Sequence, residues 1–172
     1  VSRPRDSQKS KLYAAERQVP GFHTEDRIET VPEIEAFVAT VLRSPWLVRT
    51  FGRFRIRVHD GRRHRIACAY PPSFAYGHAT IVMPRWARSK MIALHEIAHV
   101  MTPAVYAWHG REYAALYLQL VRHFLGAQKF RQLRTAFIAC RVKYKPKSKR
   151  RGNPEALRRW REAKAAAAAA SG

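Results

Sequence analysis

Apolar residues recur along this chain with two periods, and the switch between them marks its elements. Ile34, Phe37, Val38, Val41 and Leu42 fall at i, i+3, i+4, i+7 and i+8 behind Thr30-Val31-Pro32-Glu33, whose Thr-x-x-Glu spacing is that of a capping box. This pattern predicts an amphipathic helix ending near Arg43 to Pro45. Upstream, residues 6–17 are good helix formers with Asp6 placed to cap them, and Pro20-Gly21 ends that shorter helix. In residues 54–59 the period becomes two, with Phe54, Ile56 and Val58 alternating with Arg55, Arg57 and His59, as in a half-buried strand. Asp60-Gly61 then offers hairpin-turn chemistry, and residues 66–70 are expected to return as the partner strand. Residues 79–83, β-branched at Thr80, Ile81 and Val82 and closed by Pro84, predict a third strand. The expected sheet is small and antiparallel.

Residues 89–101 are helical in pattern but apolar on nearly every side, through Met91, Ile92, Leu94, Ile97, Ala98, Val100 and Met101. A helix without a solvent face belongs inside the domain. Thr102-Pro103 ends it, and a short connection leads to His109-Gly110. A further helix carries Tyr113, Leu116, Tyr117, Leu120, Val121 and Phe124 on one stripe. Beyond Gly126, a last helix holds Phe130, Leu133, Phe137 and Ile138. After Cys140 the composition turns to KYKPKSKRRGNP and later to six alanines, which reads as a mobile basic tail with one short conditional helix. The fold class expected is α+β, with one domain over residues 1–140 and the tail over residues 141–172.

Charge and cysteine content narrow the function classes. The 172 residues carry 33 Lys and Arg against 12 Asp and Glu, a net charge of +21, of which +9 lies from Arg141 onward. Such a field favours polyanions, either nucleic acid or an acidic assembly such as a ribosome, reached through the tail. Cys68 and Cys140 stand far apart with no Cys-x-x-Cys spacing, so buried free thiols are expected rather than a thiolate metal site. No apolar run approaches the roughly 20 residues of a membrane helix, and the first residues lack the apolar core of a secretory signal. A cytoplasmic protein with no membrane association is the expectation.

The candidate chemistry sits on the most apolar helix. His95-Glu96-Ile97-Ala98-His99 is a His-Glu-x-x-His string, in which the two histidines lie one turn apart on one face and can meet a single tetrahedral zinc ion. Glu96 stands beside the ion without needing to bind it, where a general base that activates water should be. A catalytic zinc needs a third protein ligand and an open fourth position. His109 is the preferred third ligand, because Pro103 lets the chain reverse and Gly110 permits a tight start to the next helix; Glu112 is the competitor. Such a string also arises by chance, so its setting decides. Two histidines and a glutamate on a buried helix would be costly without a strong partner. Tyr106, His78 and Arg85 could each steady an oxyanion, but surface or packing roles are the favoured reading for each, and Trp108 reads as packing beside the third ligand. The strand at residues 79–83 could present its edge to an extended peptide.

The run HEIAHVMTPAVYAWHGREY resembles a family of actinobacterial and actinophage metallohydrolases. The likeness extends to Arg5-Asp6-Ser7-Gln8, Tyr13-Ala14-Ala15-Glu16, Pro45-Trp46, Pro84-Arg85-Trp86-Ala87-Arg88 and Phe124-Leu125-Gly126, and covers residues 5–142. His109-Gly110-x-x-Tyr113 is also similar to SprT-like zinc proteases, in which the third ligand begins the next helix. The resemblance implies a zincin-like fold and a zinc-dependent hydrolase with ligands at His95, His99 and His109 and catalysis at Glu96. A peptidase acting on protein or peptide amide bonds is the leading expectation. A nucleic-acid or ribosome-associated binding protein with a structural or inactive zinc site is the alternative, motivated by the tail.

Overall fold

The computed structural model describes residues 3–71 and 78–144. The basic segment from residue 145 onward, with its expected short helix, lies outside them. The elements run α1 (Lys9–Gln18), α2 (Val31–Arg43), α3 (Pro45–Phe51), β1 (Ile56–Asp60), β2 (Cys68–Tyr70), β3 (Ala79–Met83), a 3-10 turn (Arg85–Ala87), α4 (Lys90–Met101), α5 (Arg111–Phe124) and α6 (Gly126–Ala139). The class is α+β.

The capping box forms: Thr30 Oγ1 accepts from the Glu33 N–H, and the Thr30 N–H donates to Glu33 Oε2 at 2.9 Å. α2 ends at Arg43, and Ser44 at once caps a short helix, α3, with Pro45 in its first turn. Pro45 therefore starts a helix as well as stopping one, a dual use that its fixed φ and missing N–H allow. Asp6 does not cap α1. Gln8 stands at that position without a side-chain cap, and the Asp6 carboxylate is engaged elsewhere. Gly126, with φ at 85°, separates α5 from α6.

The sheet is mixed, which corrects the antiparallel expectation. Its order is β1-β3-β2, with β1 parallel to β3 and β2 antiparallel to it, so β1 and β2 do not form a hairpin. Apolar patterning gives the reason. Ala79, Ile81, Val82 and Met83 are all buried, and a strand buried on both faces takes the centre, whereas the alternating β1 suits an edge. The paired flanks of β3 also rule out its serving as a free edge for a peptide.

Gly61 opens a turn, its carbonyl accepting from the His64 N–H at 2.8 Å, but not a hairpin, and its small size is needed for another reason. Its N–H donates to the Met83 carbonyl at 3.3 Å, and a Cβ there would stand 2.6 Å from the Pro84 nitrogen and 2.9 Å from its Cα. The chain thus crosses the end of β3 at close quarters and delivers β2 to its far side. Gly61→Ala is expected to destabilise the protein by about 1–3 kcal/mol through overpacking against backbone. A denaturant midpoint equal to wild type would show that the crossing can relax.

α2 packs on β1, α4 on β2 and β3, α5 on α4 and α6, and α1 on α6. Every residue of α4 from Met91 to Met101 is buried, as its all-round apolar pattern predicts. Buried Arg88 sets the start of α4: it bonds Asp60 Oδ1 and the Glu29 carbonyl, each at 2.9 Å, tying the end of β1 to the chain entering the helix. Ser89 then caps α4 by accepting from the Ile92 N–H. Cys68 and Cys140 are free, as expected, but only half-buried.

Among the described residues, no helix is long and apolar enough to cross a membrane.

Candidate metal centre

α4 presents His95 and His99 one turn apart, and the 102–110 connection folds back to bring His109 to the same point. Pro103 and Ala107 accept from the Tyr106 and Gly110 N–H groups, giving two successive turns, and α5 starts directly after Gly110. One ring nitrogen from each histidine lies within 4.8 Å of the other two, and all three residues are buried. His95 Nε2 and His99 Nε2 are 3.0 Å apart. Two nitrogens bound at 2.0–2.1 Å to one tetrahedral ion would stand about 3.3–3.4 Å apart, so this separation needs little adjustment. Glu112 is half-buried on the first turn of α5 and does not belong to the group.

Two carboxylates from the N-terminal segment hold the imidazoles from behind. His95 Nδ1 donates to Glu16 Oε1 at 2.6 Å, and His109 Nδ1 donates to Asp6 Oδ2 at 2.5 Å. A carboxylate only accepts, so each Nδ1 carries the hydrogen, and in the neutral imidazole each Nε2 keeps its lone pair. His109 Nε2 is buried with no hydrogen-bond partner, as a nitrogen reserved for an ion would be. Gln8 donates to the His109 carbonyl at 2.6 Å and also pairs with the backbone of Lys143, locking the connection to α1 and to the chain after α6. Tyr113 stacks on His99 with ring centroids 4.4 Å apart and donates to the His95 carbonyl. Trp108 meets His99 edge-on, as its expected packing role requires, beneath the Arg3 guanidinium.

Burial governs the protonation of the cluster. It would lower the pKa of His95, but the Glu16 carboxylate and then Glu96 outweigh it, so the value is raised. His99 is lowered well below the usual range by burial and then by the charges of His95 and His109. Burial also lowers His109, against the opposing pull of Asp6. His99 and His109 therefore favour the neutral, ligating form. Glu96 is pushed up to about 7, chiefly by burial, and its Oε2 is buried without a partner.

Beside His95 and Glu96 opens a cleft of about 250 Å³, walled by Tyr13, Phe22, Ile66, Trp86 and Ile92. Trp86 and Ile66 are 48% and 64% exposed, large apolar groups held out at its rim. Tyr13 lies 5.9 Å from His95 and 5.2 Å from His109 between ring centroids. Its hydroxyl is pushed up to about 12 by burial and by Glu16, Glu96 and Asp6, so it keeps its proton. Tyr106, His78 and Arg85, the residues considered for an oxyanion, do not line this cleft.

The sequence pattern gave Asp6 only a helix-cap role and assigned none to Tyr13 or Glu16. Their signal was the pair of strings Arg5-Asp6-Ser7-Gln8 and Tyr13-Ala14-Ala15-Glu16, which the structure brings against the histidines. If the cluster holds a metal ion, Asp6→Asn or Glu16→Gln is expected to weaken its affinity by about 10–100-fold, since each removes the charge that orients an imidazole. Competition with a chromophoric chelator measures this, and unchanged affinity in both variants would deny them that role. No known family, curated protein or solved structure matches the chain in sequence or in fold.

Proposed function

We propose that this chain is a zinc-dependent hydrolase of zincin-like architecture, acting as a peptidase. The observation that carries the reading is the convergence of three buried imidazoles with Glu96 beside them, its carboxylate oxygen buried and unpartnered. Three neutral nitrogen donors suit zinc, and three protein ligands leave a fourth position open. His95, His99 and His109 would hold the ion, which when bound supplies a Lewis acid that lowers the pKa of water and polarises a carbonyl.

The chain's own groups do the rest. Glu96, raised by burial, takes a proton from the attacking water and passes it to the amine nitrogen as the C–N bond breaks and the new C–O bond forms. Glu16 and Asp6 keep His95 and His109 in the ligating tautomer. The protonated Tyr13 hydroxyl donates to the carbonyl oxygen as it gains charge. The cleft of Phe22, Ile66, Trp86 and Ile92 takes an apolar side chain of the substrate and excludes water.

Zinc-loaded protein incubated with a mixed peptide library, with cleavage sites read by mass spectrometry, tests the reading. Cuts next to large apolar residues are expected, and Trp86→Ala should lower kcat/KM at those sites by about tenfold through lost apolar contact. A library left as intact by wild type as by Glu96→Gln would contradict peptidase activity.

A further inference from the structure

The two faces of the sheet differ in chemistry. Ile56, Val58, Ile81 and Met83 point to the face packed by α2 and α4. Strand alternation puts Arg57 and His59 of β1 on the opposite face, with Arg55 just before the strand, Thr80 of β3 and Tyr70 of β2; the same face holds half-buried Cys68 and buried Val82 at its other end. The register sets Arg57, Thr80 and Tyr70 in one row across the three strands. Arg55, Arg57 and His59 are exposed, and Tyr70 keeps 52% of its surface.

The stretch of chain that contains β1 is one-signed in charge. Residues 49–65 hold seven arginines, no lysine and a single acidic residue, Asp60. Asp60 is already paired with Arg62 and Arg88. Among the described residues, Arg53, Arg55, Arg57, Arg63 and Arg65 form no ion pair. A guanidinium presents a planar fork that matches phosphate, which favours arginine over lysine for this ligand.

We infer that this sheet face binds single-stranded nucleic acid, with the arginines on phosphates and Tyr70 stacked on a base. An exposed aromatic ring among unpaired arginines is the combination that single strands need, since their bases are free to stack and their backbone is charged throughout. A duplex would hide its bases from Tyr70, and an acidic peptide would leave the ring without a flat partner. These residues belong to a different part of the sequence from the basic segment after residue 144 and are not among the three clustered histidines. The site nevertheless reaches the cleft, because Arg65 directly precedes Ile66 and Ala67, which line it. A bound strand would lie along the lip of the proposed active site.

The test uses the full chain and fluorescence anisotropy with labelled oligo(dT) and oligo(U), beside a duplex of equal length. Arg55→Glu with Arg57→Glu is expected to weaken single-strand binding by about tenfold or more, and to reduce the slope of log affinity against log salt by about 1.4 for two lost phosphate contacts. Tyr70→Ala should cost about tenfold, and Tyr70→Phe should restore it by keeping the ring. Arg43→Glu with Arg131→Glu changes net charge equally at exposed positions elsewhere and should have a much smaller effect. Thermal melts establish that the variants are folded. Equal losses for the two arginine pairs would overturn the inference, since net charge alone would then explain binding. So would unchanged binding on Tyr70→Ala, preference for the duplex, or a wild-type protein that binds neither strand.

Discussion

Replacing Glu96 by glutamine is expected to lower peptide hydrolysis by about 10²–10⁴-fold while leaving zinc content at the wild-type level. The two effects separate because Glu96 stands next to the histidine group without belonging to it. Glutamine has nearly the same shape, so the buried position on α4 should accept it. An amide cannot take a proton from water at neutral pH, so the proton path from water to leaving group is lost. Steady-state kinetics and metal content measured on the same preparations test both halves. Activity within a few-fold of wild type would remove Glu96 as the base, and loss of zinc would make it a ligand.

His109→Ala is expected to weaken zinc binding by about 10²–10³-fold, taking roughly a quarter to a third of the free energy that zinc sites of 10–16 kcal/mol derive from their few ligands. The effect should exceed those of Asp6→Asn and Glu16→Gln, which leave all three nitrogens in place. Glu112→Gln should leave affinity unchanged, since Glu112 does not converge with His95 and His99. Chelator competition on the two variants discriminates between the third-ligand candidates. The reverse pattern, with Glu112→Gln losing zinc and His109→Ala keeping it, would require α5 to turn a different residue toward the site.

The parts legible in sequence are those set by local periodicity. Residues 91–101, apolar on nearly every side, give a wholly buried α4, and Thr30 with Glu33 gives the start of α2. The His95–His99 pairing follows from helical geometry alone. The parts not legible depend on contacts between distant segments. Asp6 reaches His109 across 103 residues and Glu16 reaches His95 across 79, so no local pattern in or before α1 distinguishes these carboxylates from a helix cap or a solvated charge. The Asp60-Gly61 pair shows the same limit. Its composition suits a hairpin, but the small size of Gly61 serves close passage by Pro84. The consecutive buried positions of β3 were the better guide to strand order, because burial on both faces is a property of central strands.

The central claim is that His95, His99 and His109 hold one zinc ion. Metal analysis of purified wild-type protein, reconstituted with zinc and freed of excess by gel filtration, tests it most directly. About one zinc per chain is predicted, falling close to zero in a His95→Ala, His109→Ala double variant that remains folded. Wild-type protein that retains no zinc, or a double variant that retains as much as wild type, would contradict it.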